Sequence, residues 1–389
     1  MRSAGIDSTL AILFIARPDL LTNPGGDTTQ ILATREALEQ RGHSVTLLLE
    51  EEERHAALHN AQVRFDIVHA FNLLLSYQYE GSLRLASSRG IPVVLSPIYW
   101  DMEPYERAAH SVAAWKRLVL RALLLFPERI VRPFLGHHLK TVRYNPLYKE
   151  FLAGITRSVS MLLPNSRAEE TLLRSAFQCH TPSAVIVNPS RNMEGSMDRP
   201  EGLPASYILC VGRIERRKNQ LQLIRALRGR DEALVLLGSI NRAESEYWSQ
   251  CRREARRSGV HLIHVENLPW ESVWPYYVHA QVHAQPSWFE TPGLSSLEAA
   301  VAGCPVVCTQ IGSAREYFGS MAEYCDPADV ASITAAIHRA LRSRARGAVL
   351  AAYVRDRYSL DAVGEQTLEA YAAVLGETRA VEAPVDVLA

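Results

Sequence analysis

Short, unbroken apolar runs divide the chain. Residues 8–16, 45–49, 66–70 and 92–96 each read as a strand buried on both faces, since their apolar residues run together instead of alternating. Segments of helical period lie between them, such as the one carrying Ile31, Leu32 and Leu38 and stopping at Arg41-Gly42-His43. Asp27-Thr28-Thr29-Gln30 reads as the capping box of that helix, with Asp27 as the cap. After a strand end at 161–163 and a polar, proline-containing stretch at 190–205, the pattern restarts. Strands are predicted at 207–211, 234–237, 261–265 and 280–284, and helices at 328–341 and 360–375. Strands alternating with helices predict an α/β chain of doubly wound parallel sheets, with its working loops at strand carboxyl ends. The expected division is a first domain at 1–189, a linker at 190–205, a second domain at 206–355 and a C-terminal helix with tail at 356–389.

Length and charge narrow the picture. A chain of 389 residues exceeds one ordinary core and fits two domains. Lys plus Arg equals Asp plus Glu at 42 each, so no overall charge points to nucleic acid. No apolar run approaches the ~20 residues that span a bilayer, and the N-terminus lacks the marks of a signal peptide, so a cytoplasmic protein is expected. The cysteines at 179, 210, 251, 304, 308 and 325 are scattered in apolar runs and read as free thiols. One segment departs from this balance. Residues 110–150 hold eight basic side chains against Glu128 and Glu150, a net of +6, and Trp115, Leu118, Val119, Ala122, Leu123 and Phe126 make an apolar face. It reads either as a helix packed on its own domain with a solvated basic rim, or as an interfacial helix meeting anionic lipid or a lipid-linked substrate at the inner face of a membrane.

Candidate chemistry concentrates at 286–300. An apolar strand end runs into a turn containing Pro286, Thr291, Pro292 and Gly293, and a helix opens just after Gly293 with Ser295 and Ser296 in its first turn. Amides exposed at a helix start attract phosphate, aided by the positive end of the dipole. Glu290 and Glu298 flank this point with seven residues between them. Carboxylates repel phosphate, so a pair of them beside a phosphate site fits if they accept hydrogen bonds from hydroxyls. Phosphate flanked by hydroxyls describes a sugar nucleotide. A second constellation follows the strand at 207–211: Gly212-Arg213, then Lys218 five residues on, puts two cations at a strand's carboxyl end. Each element alone has a bland reading, as helix-surface carboxylates or surface cations; together they point to one site.

The Glu-x7-Glu element with its continuation Gly303-Cys304-Pro305-Val306-Val307, the Gly212-Arg213…Lys218 element, Asn165-Ser166 and the Gly25-Gly26 loop with Arg41-Gly42-His43-x-Val45 resemble the retaining glycosyltransferases of family 4. That resemblance implies the GT-B fold, two doubly wound Rossmann-like domains facing each other across a cleft, with the last helix crossing back to the first domain. It implies transfer of a sugar from a nucleoside-diphosphate sugar to a hydroxyl acceptor in bacterial-type polysaccharide, glycolipid or glycoconjugate synthesis. Arg213 and Lys218 would grip the diphosphate, Glu290 the hydroxyls of the transferred sugar and Glu298 the ribose, with amides of Gly293, Leu294 and Ser295 on phosphate. Gly25, Gly26, Gly212 and Leu268 complete the implied donor contacts, and Glu290, Arg213 and Lys218 carry catalysis. No cofactor and no metal are expected, because the two cations neutralise the diphosphate.

Many family members place a histidine in the loop after the fourth strand, where this chain has Tyr99, Trp100 and Asp101. Tyr99, Asp101 and His69 are the acceptor-side candidates; for His69 a packing role is the alternative. Asp101-x-Glu103 superficially resembles the metal-binding pair of the other glycosyltransferase fold and is read as polar loop or acceptor contacts. Competing readings are a nucleotide-sugar 2-epimerase of the same architecture, a non-enzymatic two-domain sugar-binding protein, and a catalytically inactive scaffold.

Overall fold

The computed structural model describes residues 8–102, 105, 146–190, 198–241, 244–266, 268–269, 272–343 and 346–382. It divides into two compact units, Met1–Ile186 together with Val363–Ala389, and Val187–Ala362. The boundary therefore falls at 186, a few residues before the expected one, and the described linker residues 198–205 belong to the second unit.

In the first unit, β1 (Ala11–Ile15), β2 (Ser44–Leu48), β3 (Ile67–Phe71), β4 (Val93–Ser96) and β5 (Met161–Leu162) form a parallel sheet in the order β2-β1-β3-β4-β5. Every residue of β3 and β4 is buried, as expected of strands covered on both faces. The strand order reverses between β1 and β3, so the loops after these strands border the crevice where ligands of such sheets bind. The loop after β1 is folded around Arg17. Its guanidinium donates to Asp27 at 2.8 Å, to the Asp19 carboxylate at 2.7 Å and to the Asn23 carbonyl at 2.7 Å.

This network moves the helix start. The helix Gly26–Glu39 is capped at Gly25, whose N–H donates to Thr28 Oγ1 at 3.0 Å, and not at Asp27. A charged partner outbids a backbone amide, so the Asp27 carboxylate turns to Arg17. Further along the unit, the helix Leu360–Glu382 buries Thr367 and Tyr371. At Gly364 an added Cβ would crowd the Arg41 guanidinium and come within 3.1 Å of the Ala37 carbonyl, so the two helices pack closely there.

The second unit holds β6 (Tyr207–Val211), β7 (Ala233–Leu237), β8 (Leu262–Val265), β9 (Val282–Gln285), β10 (Val306–Thr309) and β11 (Glu323–Cys325). They form a parallel sheet in the order β11-β10-β9-β6-β7-β8. One face packs Leu209, Val235 and Val306 against Tyr277, Leu297 and Phe318; the other packs Ile208, Leu234 and Val307 against Leu223, Tyr247 and Ile333. The order reverses between β6 and β9, which brings the loop after β6 beside the loop after β9. That adjacency unites the two constellations read from the sequence.

Candidate active site

The loop after β6 is shaped by a left-handed residue and a side-chain strut. Asn219, at φ 63°, ends the turn Arg216–Lys218, and its amide donates to the carbonyls of Pro286 at 3.0 Å and Pro327 at 2.8 Å. Trp288 N–H donates to the Arg217 carbonyl at 2.9 Å. The bonds to Pro286 and from Trp288 tie this loop to the turn after β9, and the bond to Pro327 ties it to the segment after β11. Lys218 is thereby aimed at Glu290, with Nζ 2.7 Å from Oε1. Ser287 Oγ donates to the same oxygen at 2.6 Å, and Arg217 Nη1 lies 3.7 Å from it. With its amide oriented to satisfy both ends, Gln285 donates to the Val211 carbonyl at 3.0 Å and accepts from Lys218 at 3.1 Å.

Arg217 is itself held. It donates through Nε to Glu215 at 3.2 Å and through Nη1 to the Phe289 carbonyl at 3.3 Å, and its guanidinium lies over the Phe289 ring at 5.2 Å. Burial alone would raise the Glu290 carboxyl. The Lys218 charge, then Arg217, then the hydrogen bonds of Lys218 and Ser287 outweigh it and bring it down to about 2. Glu290 is thus a fixed carboxylate, an acceptor of hydrogen bonds and a poor base. Its hydrogen bonds from described residues all fall on Oε1. Its backbone is clamped as well: Glu290 N–H donates to Ile311 and Ser313 N–H to Glu290, at 3.2 and 3.0 Å. At Gly312, φ 115°, any Cβ would run into the Glu290 carbonyl.

Gly293, at φ 88°, starts the helix Leu294–Val301. The amides of Ser296 and Leu297 already donate to the Gly293 carbonyl, at 2.9 and 3.1 Å, while those of Leu294 and Ser295 lie in the first turn, where helix amides lack intrahelical acceptors. Glu298 lies one turn after Leu294 and so on the same helix face. It is half-buried and accepts from the Tyr277 hydroxyl at 2.8 Å. Gly212 and Lys218 lie together, a Cβ at Gly212 meeting Lys218 Cε at 3.3 Å. Arg213 is exposed, with Nε 3.8 Å from Glu215. Leu268 is half-buried against the core of this unit.

The first-unit candidates fare differently. Gly25 and Gly26 start their helix at the β1–β3 reversal, half-buried and exposed respectively. His69 is 1% exposed; its Nδ1 meets Tyr371 Oη at 2.7 Å, its Nε2 meets Ser96 Oγ at 2.9 Å, and its ring stacks on Phe71 at 4.0 Å. Burial holds it neutral, down to about 3. The packing alternative is the one this geometry takes, so His69 is corrected from acceptor candidate to core residue. The Tyr99 ring is buried, 5.1 Å from the Phe177 ring. Asp101 and Trp100 remain half-buried in the loop after β4. Glu103 and the basic segment at 110–145 lie outside the described residues.

Sequence reasoning missed Arg217, Ser287, Gln285 and Tyr277. Ser287 and Arg217 adjoin the recognised elements, so their neighbourhood was a signal; nothing in the chain marks Tyr277 as the partner of a residue 21 positions later. Among the described residues no cluster of three or more His, Cys, Asp or Glu is arranged to hold a metal ion, and no helix is long and apolar enough to cross a membrane.

Two Rossmann-like α/β units, each a parallel sheet with a reversal in strand order, make this the GT-B fold. The architecture matches that of sucrose-phosphate synthase from Thermosynechococcus elongatus, with a TM-score of 0.69 at 17% identity, over 94% of this chain and 100% of that one. Residues 198–357, within the second unit, match the model of the family glycosyl transferases group 1. The chain is also similar to the O-antigen chain mannosyltransferase B of Escherichia coli, at 29% identity over 42% of this chain and 45% of that protein. It is 32% identical to a glycogen synthase of Mycobacterium tuberculosis over 77% of this chain and 65% of that one. The chain thus spans about half the length of the first of these curated relatives.

Proposed function

We propose that the protein is a retaining glycosyltransferase that moves a sugar from a nucleoside-diphosphate sugar to a hydroxyl acceptor in polysaccharide or glycolipid synthesis. The observation that carries this reading is the Lys218–Ser287–Glu290 cluster beside the first turn of the helix Leu294–Val301, with Glu298 one turn further on. The amides of Leu294 and Ser295 and the cations of Arg213 and Lys218 bind the diphosphate, and Glu298 takes the ribose hydroxyls. Glu290 takes hydroxyls of the transferred sugar through Oε2. A carboxylate held at about 2 is a weak nucleophile and a weak base, so it orients the sugar instead of exchanging protons. The leaving diphosphate, its charge met by Arg213 and Lys218, is then the group positioned to take the acceptor's proton on the face it departs.

No metal is required in this scheme. The acceptor is a hydroxyl, and a lipid-linked one agrees with the basic, apolar composition of 110–150. Incubating the protein with UDP-, GDP- and ADP-sugars, scoring slow hydrolysis and protection from heat, tests the reading. Protection by a nucleotide sugar, with release of a sugar of retained anomeric configuration, is expected. An inverted product would overturn the retaining assignment, and absence of any protection the donor assignment.

A further inference from the structure

The turn after β4 is held in a conformation its own sequence does not favour. Ile98 has φ 47°, the left-handed region that a β-branched residue rarely enters because its Cβ crowds the following carbonyl. The next amide, Tyr99 N–H, donates to Glu169 Oε1 at 2.6 Å, and Asn165 N–H donates to Glu169 Oε2 at 2.7 Å. Glu169 is fully buried, at 0% exposure. Its place in the chain makes this a diversion. Ser166-x-x-Glu169 is a capping-box sequence at the start of the helix Arg167–Phe177, and its first half is present: Glu169 N–H donates to Ser166 Oγ at 3.0 Å. In such a box the carboxylate returns to the amide of the cap residue. Here it passes to Asn165 and to Tyr99, a residue 70 positions away. The Tyr99 ring packs on Phe177 of the same helix, so the turn is fixed to that helix by backbone and side chain together.

We propose that Glu169 is a positioning residue: it holds the 96–102 turn, against the strain at Ile98, so that Trp100 and Asp101 stand at the carboxyl end of β4. Their use as acceptor-side contacts rests on the glycosyltransferase reading; the hold itself does not. Burying a carboxyl group is costly, and here each of its oxygens accepts one amide that holds the turn to the helix. Backbone strain retained beside a ligand crevice is the usual companion of such pre-arrangement.

Hydrogen exchange read by mass spectrometry, with thermal unfolding, tests this in the full-length protein with Glu169→Gln, Ile98→Gly and the double variant. In Glu169→Gln, peptides covering 97–102 should exchange about tenfold faster or more, the loss of one buried charged acceptor, while β3 stays protected. Ile98→Gly should leave Tm unchanged or raised when Glu169 is present, because glycine enters the left-handed region freely. In the Glu169→Gln background the same change should lower Tm, since the strain is already released and only added chain flexibility remains. Affinity for UDP, GDP and ADP should be unchanged in Glu169→Gln, while turnover of whichever nucleotide sugar protects the wild type falls.

Unchanged exchange at 97–102, or an equal effect of Ile98→Gly in both backgrounds, overturns the proposal. If Glu169→Gln loses protection in β3 as well, Ile98→Gly alone decides: a Tm lowered by several degrees overturns the strained hold, and a Tm held or raised supports it. If no nucleotide sugar protects the wild type, the glycosyltransferase reading fails while the exchange and Tm results stand.

Discussion

Glu169 in the first unit and Glu290 in the second are both buried, at 0% and 6% exposure, yet their carboxyls move in opposite directions. Burial pushes Glu169 up to about 7, and the two amides that oppose it fall short. Burial pushes Glu290 the same way, but Lys218 and Arg217 bring it down to about 2. Burial therefore does not decide the charge of an interior carboxylate; the cations delivered by the neighbouring loop do. Glu169 accepts from two backbone amides, and Glu290 from the Lys218 and Ser287 side chains.

The largest effect should come from taking away the cation that separates the two cases. Lys218→Met leaves Glu290 buried with Arg217 as the one cation near it among the described residues, and removing one partner of such a pair costs about 3–5 kcal/mol. Urea unfolding should show this loss, with part of it restored by adding Glu290→Gln; no recovery in the double variant would mean that Lys218 acts on something other than Glu290.

A smaller effect separates the two glutamates of the site. Glu298→Gln should weaken binding of the free nucleoside diphosphate, and Glu290→Gln should spare it and lower turnover, each losing one charged hydrogen bond of about 1.5–3 kcal/mol. Calorimetry with the free nucleotide checks this, and equal losses in both variants would contradict the ribose and sugar assignments.

The pH dependence has two signs. Glu169 has a raised carboxyl, so its contribution is present below about 4.5 and is lost as pH rises through about 7, at up to about 1.4 kcal/mol per pH unit. Glu290 has a lowered one, so its contribution is present above about 4.5 and is lost as pH falls towards about 2. Stability curves from pH 3 to 8 should lose their decline between 4.5 and 7 in Glu169→Gln, and their acid limb should flatten in Glu290→Gln. The smallest expected effect is none: if Arg213 and Lys218 carry the charge at the diphosphate as proposed, EDTA should leave sugar transfer intact. Activity lost to EDTA and restored by magnesium or manganese would reject that division of labour.

The alternation of buried strands and helices was legible because unbroken apolar runs have few other ways to be satisfied. The Glu-x7-Glu turn and the Gly-Arg…Lys loop were legible because their residue types and spacing are set within one short segment. The helix cap at Asp27 was misread, since Arg17 competes for its carboxylate from outside the helix. His69 reads from the sequence as a strand end that could be open, whereas it lies in the middle of β3 and packs against Tyr371 and Phe71.

What the sequence by itself determined is local: which segments become strands and helices, where the turns fall, and which residues are chemically fit to meet phosphate and hydroxyl. Only the tertiary structure decided which of those residues act on one another. The reversal of strand order between β6 and β9 sets Lys218 on Glu290 across 72 positions, and the diverted cap sets Glu169 on Tyr99 across 70. The physical reason is that a side chain's charge state depends on the few ångströms around it, and in a parallel α/β sheet those few ångströms are filled by loops far apart in the chain.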